Sequence, residues 1–246
     1  MAAERWAVVT GGSRGIGRAV AIELAARGWN IGIVHLRNDE AAAGASAAVS
    51  ALGARCVVMR ANVASSDECA DVMRRVASEC GPLYGLVHAA GLGALSPVLA
   101  TRPNRWQLAW DTHVGALLSL AVEAQPLFAE RASIVALTSL GAWRVTPGYA
   151  SIAAAKGALE SVVRYLAAEL APRGVTVNAI RGGPVDTDSL RSFSTFDAIE
   201  SESRRRLPGR MGTPEDIAPI AAFLLDPGAG WINGQVITAD GGFSLH

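Results

Sequence analysis

A glycine-rich turn near the start of the chain has the composition of an anion-binding site. Its residues are Thr10, Gly11, Gly12, Ser13, Arg14, Gly15, Ile16 and Gly17. Glycines at positions 11, 15 and 17 permit a tight turn, close approach of the backbone to a pyrophosphate, and close contact between helix and strand. Free N–H groups at the start of the following helix then face the anion. The turn predicts a dinucleotide site, with a purely structural turn as the alternative.

The end of the second apolar run indicates which dinucleotide fits. An acidic residue there would bind the adenosine ribose of NAD, but positions 35–38 hold His-Leu-Arg-Asn and the first carboxylate is Asp39. Leu36 cannot accept hydrogen bonds from the ribose, whereas the guanidinium groups of Arg37 and Arg14 can hold a 2′-phosphate in charge-assisted bonds. These residues predict NADPH as the cofactor, unless Arg37 is an ordinary solvated surface residue.

Lysine is almost absent from the chain. Of the 22 basic residues, 21 are arginine and one is lysine, Lys156. A genome rich in G and C accounts for such a bias. The bias nevertheless makes the remaining ammonium group a candidate functional group.

Short β-branched runs alternate with longer helical patterns. The predicted strands are 6–10, 31–35, 56–60, 83–88, 134–138, 175–180 and 236–239. The predicted helices are 16–27, 40–52, 67–80, 104–128, 153–171 and 214–225. Strands that are apolar throughout lie in sheets covered on both faces, and strict alternation means parallel pairing by right-handed crossovers. The prediction is an α/β fold: a single-domain, Rossmann-type, doubly wound parallel sheet of seven strands with helices on both faces.

Segment 188–209 interrupts the alternation. It is polar, it contains three consecutive arginines at 204–206, and it has no strand pattern. A segment of that length inside a compact domain is usually functional. We interpret it as a lid over a ligand site, within one domain that spans residues 1–246.

Composition excludes several classes of partner. The 246 residues include 22 Lys and Arg against 22 Asp and Glu, so the formal net charge is zero and disfavours binding to nucleic acid or an anionic membrane. No apolar run reaches the roughly 18 residues that span a bilayer, and no signal peptide precedes the first strand. Cys56, Cys69 and Cys80 are odd in number and lack zinc spacing. We therefore expect a small-molecule substrate, no metal and a cytoplasmic location.

Four further motifs stand at characteristic places. They are Leu-Val-His-Ala-Ala-Gly at 86–91, Ser139 after the fifth predicted strand, Lys156 in the following helix, and Asp-Gly-Gly at 240–242. With the glycine turn and the chain length, they resemble the short-chain dehydrogenase/reductase family over essentially the whole chain. The resemblance implies an oxidoreductase with a nicotinamide cofactor.

The spacing between a tyrosine and the lysine narrows this resemblance. Ile152 stands four residues before Lys156, where the family usually has tyrosine, and Tyr149 stands seven before it. Tyr-x6-Lys is similar to the NADPH-dependent type III enoyl-[acyl carrier protein] reductases, as are Ser-Leu-Gly at 139–141 and Gly-Gly-Pro-Val-Asp-Thr-Asp at 182–188. Along a helix, the longer spacing raises the separation from roughly 6 to roughly 10.5 Å. A more distant donor suits a conjugated thioester, because hydride enters the β-carbon while charge accumulates on an oxygen several bonds away.

The resemblance implies a role for each candidate catalytic residue. Tyr149 would protonate or hydrogen-bond the enolate oxygen, Lys156 would hold the nicotinamide ribose and favour the phenolate, and Ser139 would be a second donor. His113 takes the place of an asparagine that relays protons, and histidine can also relay them. The alternatives are a packing aromatic for Tyr149 and a core histidine for His113.

The resemblance also implies the cofactor contacts. Asn62 replaces the usual aspartate at the adenine, and the carboxamide would meet the backbone of Val185 and the hydroxyl of Thr187. The expected cofactor contacts are Gly11, Ser13, Arg14, Gly15, Ile16, Gly17, Arg37, Asn62, Val63, Ala89, Ala90, Gly91, Tyr149, Lys156, Gly182, Val185 and Thr187. The turn at positions 88–91 lacks two amide side chains that brace it in the family. The departures from the family pattern therefore cluster near the nicotinamide.

Three functions follow from these residues. The leading hypothesis is an NADPH-dependent reductase of an enoyl thioester, free or bound to a carrier protein. The departures favour, as alternatives, a carbonyl or imine reductase of natural-product or antibiotic metabolism, or a catalytically weak NADPH-binding sensor. Candidates for a hydrophobic substrate pocket are Trp106, Trp110, Trp143, Phe193 and Phe196. The resemblance further implies a homo-oligomer, a tetramer or dimer, with residues 243–246 near the interface.

Overall fold

A parallel sheet forms the centre of the structure, a computed structural model that describes residues 4–93 and 95–245. Its strands are β1 (Trp6–Thr10), β2 (Asn30–His35), β3 (Cys56–Arg60), β4 (Leu83–His88), β5 (Phe128–Ser139), β6 (Thr176–Gly182) and β7 (Val236–Ala239). The strand order is β3-β2-β1-β4-β5-β6-β7, and every neighbouring pair is parallel. The predicted single-domain, seven-stranded, doubly wound fold is confirmed.

Helices cover both faces of this sheet. They are α1 (Gly15–Ala26), α2 (Asp39–Ser50), α3 (Ser66–Glu79), α4 (Pro103–Trp110), α5 (Ala116–Ala124), α6 (Ala150–Leu170), α7 (Asp188–Arg191), α8 (Phe196–Arg205) and α9 (Pro214–Leu225). Buried apolar residues of α1, α2 and α9 pack on one face, and those of α3, α4, α5 and α6 on the other. Among the described residues, no helix combines the length and the apolar character that crossing a membrane requires.

The predicted helix 104–128 is wrong in its continuity and its end. A π-helical turn (Asp111–Gly115) separates α4 from α5, and Phe128 already belongs to β5. The ring of His88 in β4 hydrogen-bonds the carbonyl oxygen of Thr112 inside the π turn. A side chain inserted into the backbone ladder is a known cause of such distortion. Pro126 lacks an N–H and prevents continuation of α5.

Segment 188–209 contains α7 and α8 and no strand. A parallel bridge between Val185 and Gly212 joins the two ends of this segment. The backbone N–H of Asp186 bonds the oxygen of Gly212, and the N–H of Gly212 bonds the oxygen of Pro184, both at 2.8 Å. Backbone hydrogen bonds thus hold the two ends of the segment together. The function of the segment as a lid remains a prediction.

Candidate active site

A cavity of about 500 Å³ lies at the carboxyl ends of the parallel strands, the edge at which open α/β sheets bind ligands. Most of the predicted site residues line it. They are Gly11, Ser13, Arg14, Gly15, Ile16, Gly17, Arg37, Asn62, Val63, Ala89, Ala90, Gly91, His113, Tyr149, Lys156 and Thr187. One continuous cavity therefore joins the glycine turn to the candidate catalytic residues.

Three predicted residues lie outside the lining of this cavity. Ser139 ends β5 behind Tyr149, and Gly182 ends β6. Val185 is buried in the bridge at the base of segment 188–209. That bridge uses backbone groups of the residues on either side of Val185. Contact of Gly182 or Val185 with a cofactor stays a prediction.

The glycine turn has the shape that a bound pyrophosphate requires. A Cβ atom on Gly17 would lie 2.3 Å from the carbonyl oxygen of Gly11, and one on Gly11 would lie 2.9 Å from the Cα of Ala90. The first turn of α1 has no acidic residue and no side-chain cap, so its N–H groups are available to an anion. This cradle fits the diphosphate of a dinucleotide.

Two unpaired guanidinium groups flank the end of β2. Arg14 and Arg37 are exposed, and neither has an ion-pair or hydrogen-bond partner among residues 4–93 and 95–245. The nearby carboxylate of Asp39 is directed to His35 and Arg60, at 3.8 Å from each. The cavity wall therefore offers positive charge where a 2′-phosphate would lie, which fits NADPH.

Asn62 presents an amide to the same cavity. Its backbone N–H bonds a carboxylate oxygen of Glu68 at 2.7 Å, and its Oδ1 accepts the N–H of Ala64 at 3.2 Å. The bond to Oδ1 orients the side chain and leaves its NH₂ group for a ligand. Asn62 thus offers a donor where an aspartate would offer an acceptor.

The single lysine is buried in the cavity wall. Its Nζ donates a 2.5 Å hydrogen bond to the carbonyl oxygen of Leu137 in β5. Burial lowers the pKa of Lys156 to about 7, and the charge of Glu160 opposes that shift. At neutral pH this amine is close to its titration midpoint and can donate to ribose hydroxyls.

Tyr149 lies directly before α6 with its ring against the backbone of Gly141. A Cβ atom on Gly141 would lie 2.5 Å from the ring. The hydroxyl of Ser139 hydrogen-bonds the phenol and accepts the N–H of Gly141 at 3.2 Å. Burial raises the pKa of Tyr149, and the bond from Ser139 opposes that shift. This differs from the expectation that Lys156 favours the phenolate, because burial dominates.

An apolar side chain occupies the usual tyrosine position. Ile152 is buried, lines the cavity, and lies between Tyr149 and Lys156 along α6. It packs directly on Gly93, where a Cβ atom would lie 2.1 Å from the Ile152 Cδ1. The cavity therefore has no proton donor at this position.

His88 braces the turn that lacks the usual amides. The N–H of Ala90 donates to the Thr10 hydroxyl at 3.1 Å, and this hydroxyl lies 3.0 Å from His88 Nδ1. His88 Nε2 lies 3.1 Å from the carbonyl oxygen of Thr112. A neutral ring protonated on Nε2 satisfies all these groups. From the sequence, position 88 is predicted only as a lost amide, and the one available signal for this bracing role is a histidine at a strand end beside the glycine turn.

His113 is a neutral ring in the π turn. Its Nε2 donates to the carbonyl oxygen of Leu92 at 3.2 Å, so Nδ1 carries the lone pair. Nδ1 is buried and has no partner among the described residues. Burial, followed by the charge of Lys156, holds the pKa of His113 well below its usual value. Its proposed relay function stays a prediction.

Only one of the five aromatic candidates reaches the cavity. Phe193 lines it and contacts the Tyr149 ring edge to face, with centroids 6.2 Å apart. Trp110 and Trp143 are largely exposed. Phe196 lies beneath the guanidinium of Arg191, and Trp106 is not in the lining.

Comparisons with known proteins agree with this geometry. A family model described as "Enoyl-(Acyl carrier protein) reductase" matches residues 11–244. The chain belongs to the short-chain dehydrogenase/reductase family. The 1-cyclohexenylcarbonyl-CoA reductase of Streptomyces collinus is 35% identical over 241 residues, which cover 97% of this chain and 86% of that protein. The predicted family and the predicted oxidoreductase class are confirmed.

Two other short-chain dehydrogenases/reductases illustrate the range of the similarity. The 3-oxoacyl-[acyl-carrier-protein] reductase FabG of Staphylococcus epidermidis is 31% identical over 242 residues, covering 97% of this chain and 98% of that one. A short-chain dehydrogenase from Burkholderia cenocepacia, solved in complex with NADP, superimposes with a TM-score of 0.89 at 34% identity over 96% of each chain. The NADP in that crystal structure agrees with the predicted cofactor.

Substitution of Gly17 tests the phosphate cradle. The methyl group of Gly17→Ala would lie 2.3 Å from a backbone oxygen, so we expect the Kd for NADPH to rise at least about tenfold, equivalent to about 1.4 kcal/mol. NADPH fluorescence titration measures this change. Gly44→Ala on exposed α2 is the control, since nothing lies within 4 Å of its added methyl. Wild-type affinity in Gly17→Ala would exclude the turn from the site.

The pH dependence of stability tests the neutral state of His88. Burial lowers its folded pKa to about 3, below the usual 6.5, so protons bind preferentially to the unfolded chain between these values. The free energy of unfolding should therefore fall as the pH drops through this window. In His88→Asn we expect the slope to decrease by about one proton, or about 1.4 kcal/mol per pH unit. Urea unfolding at several pH values between roughly 4.5 and 6, inside the window between the two pKa values, measures both slopes, and equal slopes would contradict a neutral His88.

Proposed function

We propose that this protein is an NADPH-dependent reductase of enoyl thioesters. The observation that carries the proposal is the position of the phenol: Tyr149 is in the cavity wall, whereas Ile152 fills the usual tyrosine position with an apolar side chain. The name of the Streptomyces collinus relative, a reductase of a conjugated CoA thioester, supports this choice. A free CoA thioester and a carrier-protein thioester present the same reactive group.

Different parts of the cavity would hold the two ends of the cofactor. The glycine turn and α1 would hold the diphosphate, Arg14 and Arg37 the 2′-phosphate, and Lys156 the nicotinamide ribose. NADPH, when bound, supplies the hydride that reduces the β-carbon of the substrate. The predicted dependence on NADP also agrees with the complex of the Burkholderia relative.

Tyr149 supplies the proton. Its neutral phenol donates to the thioester oxygen, where negative charge accumulates as the β-carbon is reduced. The enol formed in this way becomes the saturated thioester when its α-carbon takes a proton from solvent and its oxygen releases one. Ser139 donates to the phenol oxygen and stabilises the phenolate that remains. Phe193 packs edge to face against the phenol ring. Solvent returns the proton to Tyr149 after product leaves.

Segment 188–209 acts as the lid in this proposal. Asp188, Ser189 and Phe193 line the cavity from the start of the segment. The bridge between Val185 and Gly212 keeps its base fixed, so α7 and α8 can move as one flap over the acyl group.

Assembly into a homo-oligomer also belongs to the proposal. Apolar side chains on α4 and α5 are exposed in the single chain, with Trp110 at 47% and Val122 at 57% of their full accessibility. Apolar patches of this kind mark protein contacts. A measurement of the molar mass in solution would distinguish a dimer from a tetramer.

Reduction of a 3-oxoacyl thioester is the second candidate. The similarity to FabG of Staphylococcus epidermidis favours it. Such a reaction requires a proton on the oxygen attached to the carbon that receives hydride, and Ile152 has no proton to give. Apart from the departures from the family at positions 88, 113 and 152, no feature of the described residues favours the imine reductase or the sensor.

Replacement of Arg37 tests the cofactor assignment. Arg37→Ala should raise the Kd for NADPH by about 10-fold to 100-fold, the loss of one charge-assisted contact, and leave the Kd for NADH nearly unchanged. Isothermal titration with both cofactors measures the ratio. Arg74→Ala on exposed α3 is the control. An equal loss for both cofactors would remove Arg37 from the 2′-phosphate site.

Replacement of Tyr149 tests the proton donor. Tyr149→Phe should lower kcat for crotonyl-CoA by about 10²-fold to 10⁴-fold, the contribution of a general acid, without weakening NADPH binding. Stopped-flow absorbance of NADPH measures the rate. Tyr165→Phe is the matched control, because that tyrosine lies on α6, the helix that begins directly after Tyr149, and is 70% exposed. Faster turnover of a 3-oxoacyl thioester than of crotonyl-CoA by the wild type would favour the second candidate.

A further inference from the structure

Glu160 is a buried carboxylate that the catalytic proposal does not use. It lies on α6 one turn beyond Lys156, and its side chain is only 10% exposed. A carboxylate in such a place is costly unless cations and hydrogen bonds surround it. The partners of Glu160 therefore indicate why the chain retains it.

Those partners come from two neighbouring strands. The Thr138 hydroxyl of β5 donates to Oε1 at 2.9 Å, and Arg181 of β6 donates from Nε to Oε1 at 3.0 Å and from Nη2 to Oε2 at 2.6 Å. Arg181 is fixed in turn by the Thr238 hydroxyl at 3.4 Å and by the Trp143 ring at 5.8 Å from its centroid. The carboxylate is thus held by three donors and cannot turn to solvent.

The contacts of Glu160 and Lys156 on β5 are consecutive. Lys156 binds the carbonyl oxygen of Leu137, and Glu160 binds the hydroxyl of the next residue, Thr138. Two successive turns of α6 are therefore joined to two successive residues of one strand. Because Thr138 also lines the cavity, this pair of contacts sets the register of the helix at the cavity wall.

We propose that Glu160 is a positioning residue for Lys156: held by Thr138 and Arg181, it fixes α6 on the sheet and supplies the negative charge that keeps the buried lysine partly protonated. Arg181 belongs to the same device, because it holds the carboxylate in place and limits its negative charge. The proposal concerns the lysine assigned above to the cofactor ribose, and thus rests on the proposed function for its use in catalysis.

Other titratable groups from the surrounding elements lie near Lys156. His88 from β4 and His113 from the π turn are neutral, and each has a pKa lowered by burial and then by the lysine charge. Tyr149 and Asp188 line the same cavity. Among these groups, Glu160 is the one whose charge favours the protonated lysine in the structure.

The chain offers a direct measurement, because Lys156 is its only lysine. Incorporation of lysine labelled with ¹³C at Cε gives one side-chain NMR signal, whose shift against pH reports the protonation of Lys156 in the folded protein. We expect a wild-type midpoint near the pKa of about 7. Glu160→Gln should lower this midpoint by about half a pH unit or more.

Arg181→Gln provides the opposite test. It removes a positive charge and leaves Glu160 in place, so the midpoint should rise. Glu160→Asp keeps both charges and should stay within about 0.3 pH unit of wild type. Glu79→Gln is the control, since it breaks a 2.6 Å ion pair with Arg75 on the exposed side of α3 and should leave the midpoint unchanged.

The direction of each shift decides the proposal. A merely structural role predicts that Glu160→Gln and Arg181→Gln, which break the same ion pair, move the midpoint the same way or not at all, and either result would overturn it. If one variant does not fold, the other still has its own expected direction of shift. A large shift of the Lys156 midpoint in Glu160→Asp would contradict a role for the negative charge of Glu160. Because the titration needs no turnover, its outcome is independent of whether the substrate is an enoyl thioester.

Discussion

Burial of one ammonium group is the constraint around which the reactive end of this protein is arranged. Lys156 is buried in the cavity wall, where its ammonium group donates a hydrogen bond to one backbone carbonyl. The loss of hydration lowers its pKa to about 7. The charge of Glu160, one turn away on α6 and itself held by Thr138 and Arg181, favours the protonated lysine. The lysine, the helix that carries it and the two strands beneath it thus form one electrostatic unit.

Neutral hydrogen-bonding groups complete that unit without adding charge. His88 joins the glycine turn to the π turn through the Thr10 hydroxyl and the Thr112 carbonyl. His113 joins the π turn to the loop after β4 through the oxygen of Leu92. Both rings remain neutral because burial and the nearby ammonium group oppose a second cation. The two imidazole rings thus make hydrogen bonds of the kind that amide side chains make, but they span a longer distance than an amide side chain can.

The sequence predicts features that depend on local pattern and misses those that depend on long-range contact. The bounds of β1 and β4, the glycine turn and Arg37 follow from residues adjacent in the chain, and the structure places them as expected. The π turn depends on His88, which reaches it from another strand, so helical periodicity predicted an uninterrupted helix. Glu160 has the same sequence signature as an exposed helical glutamate, and only its contact with β6 distinguishes it.

The spacing between Tyr149 and Lys156 affects the protonation of both groups as well as the distance between them. Burial raises the pKa of the phenol and lowers that of the amine, so both groups favour their neutral forms. With Ile152 between them, the phenol does not lose its proton to satisfy the lysine. Such a phenol protonates only an acceptor that becomes strongly basic during the reaction. In the proposed reaction, an enolate oxygen formed from a conjugated thioester meets that condition, whereas the unreduced carbonyl does not, so the apolar spacer would link proton transfer to reduction of the double bond.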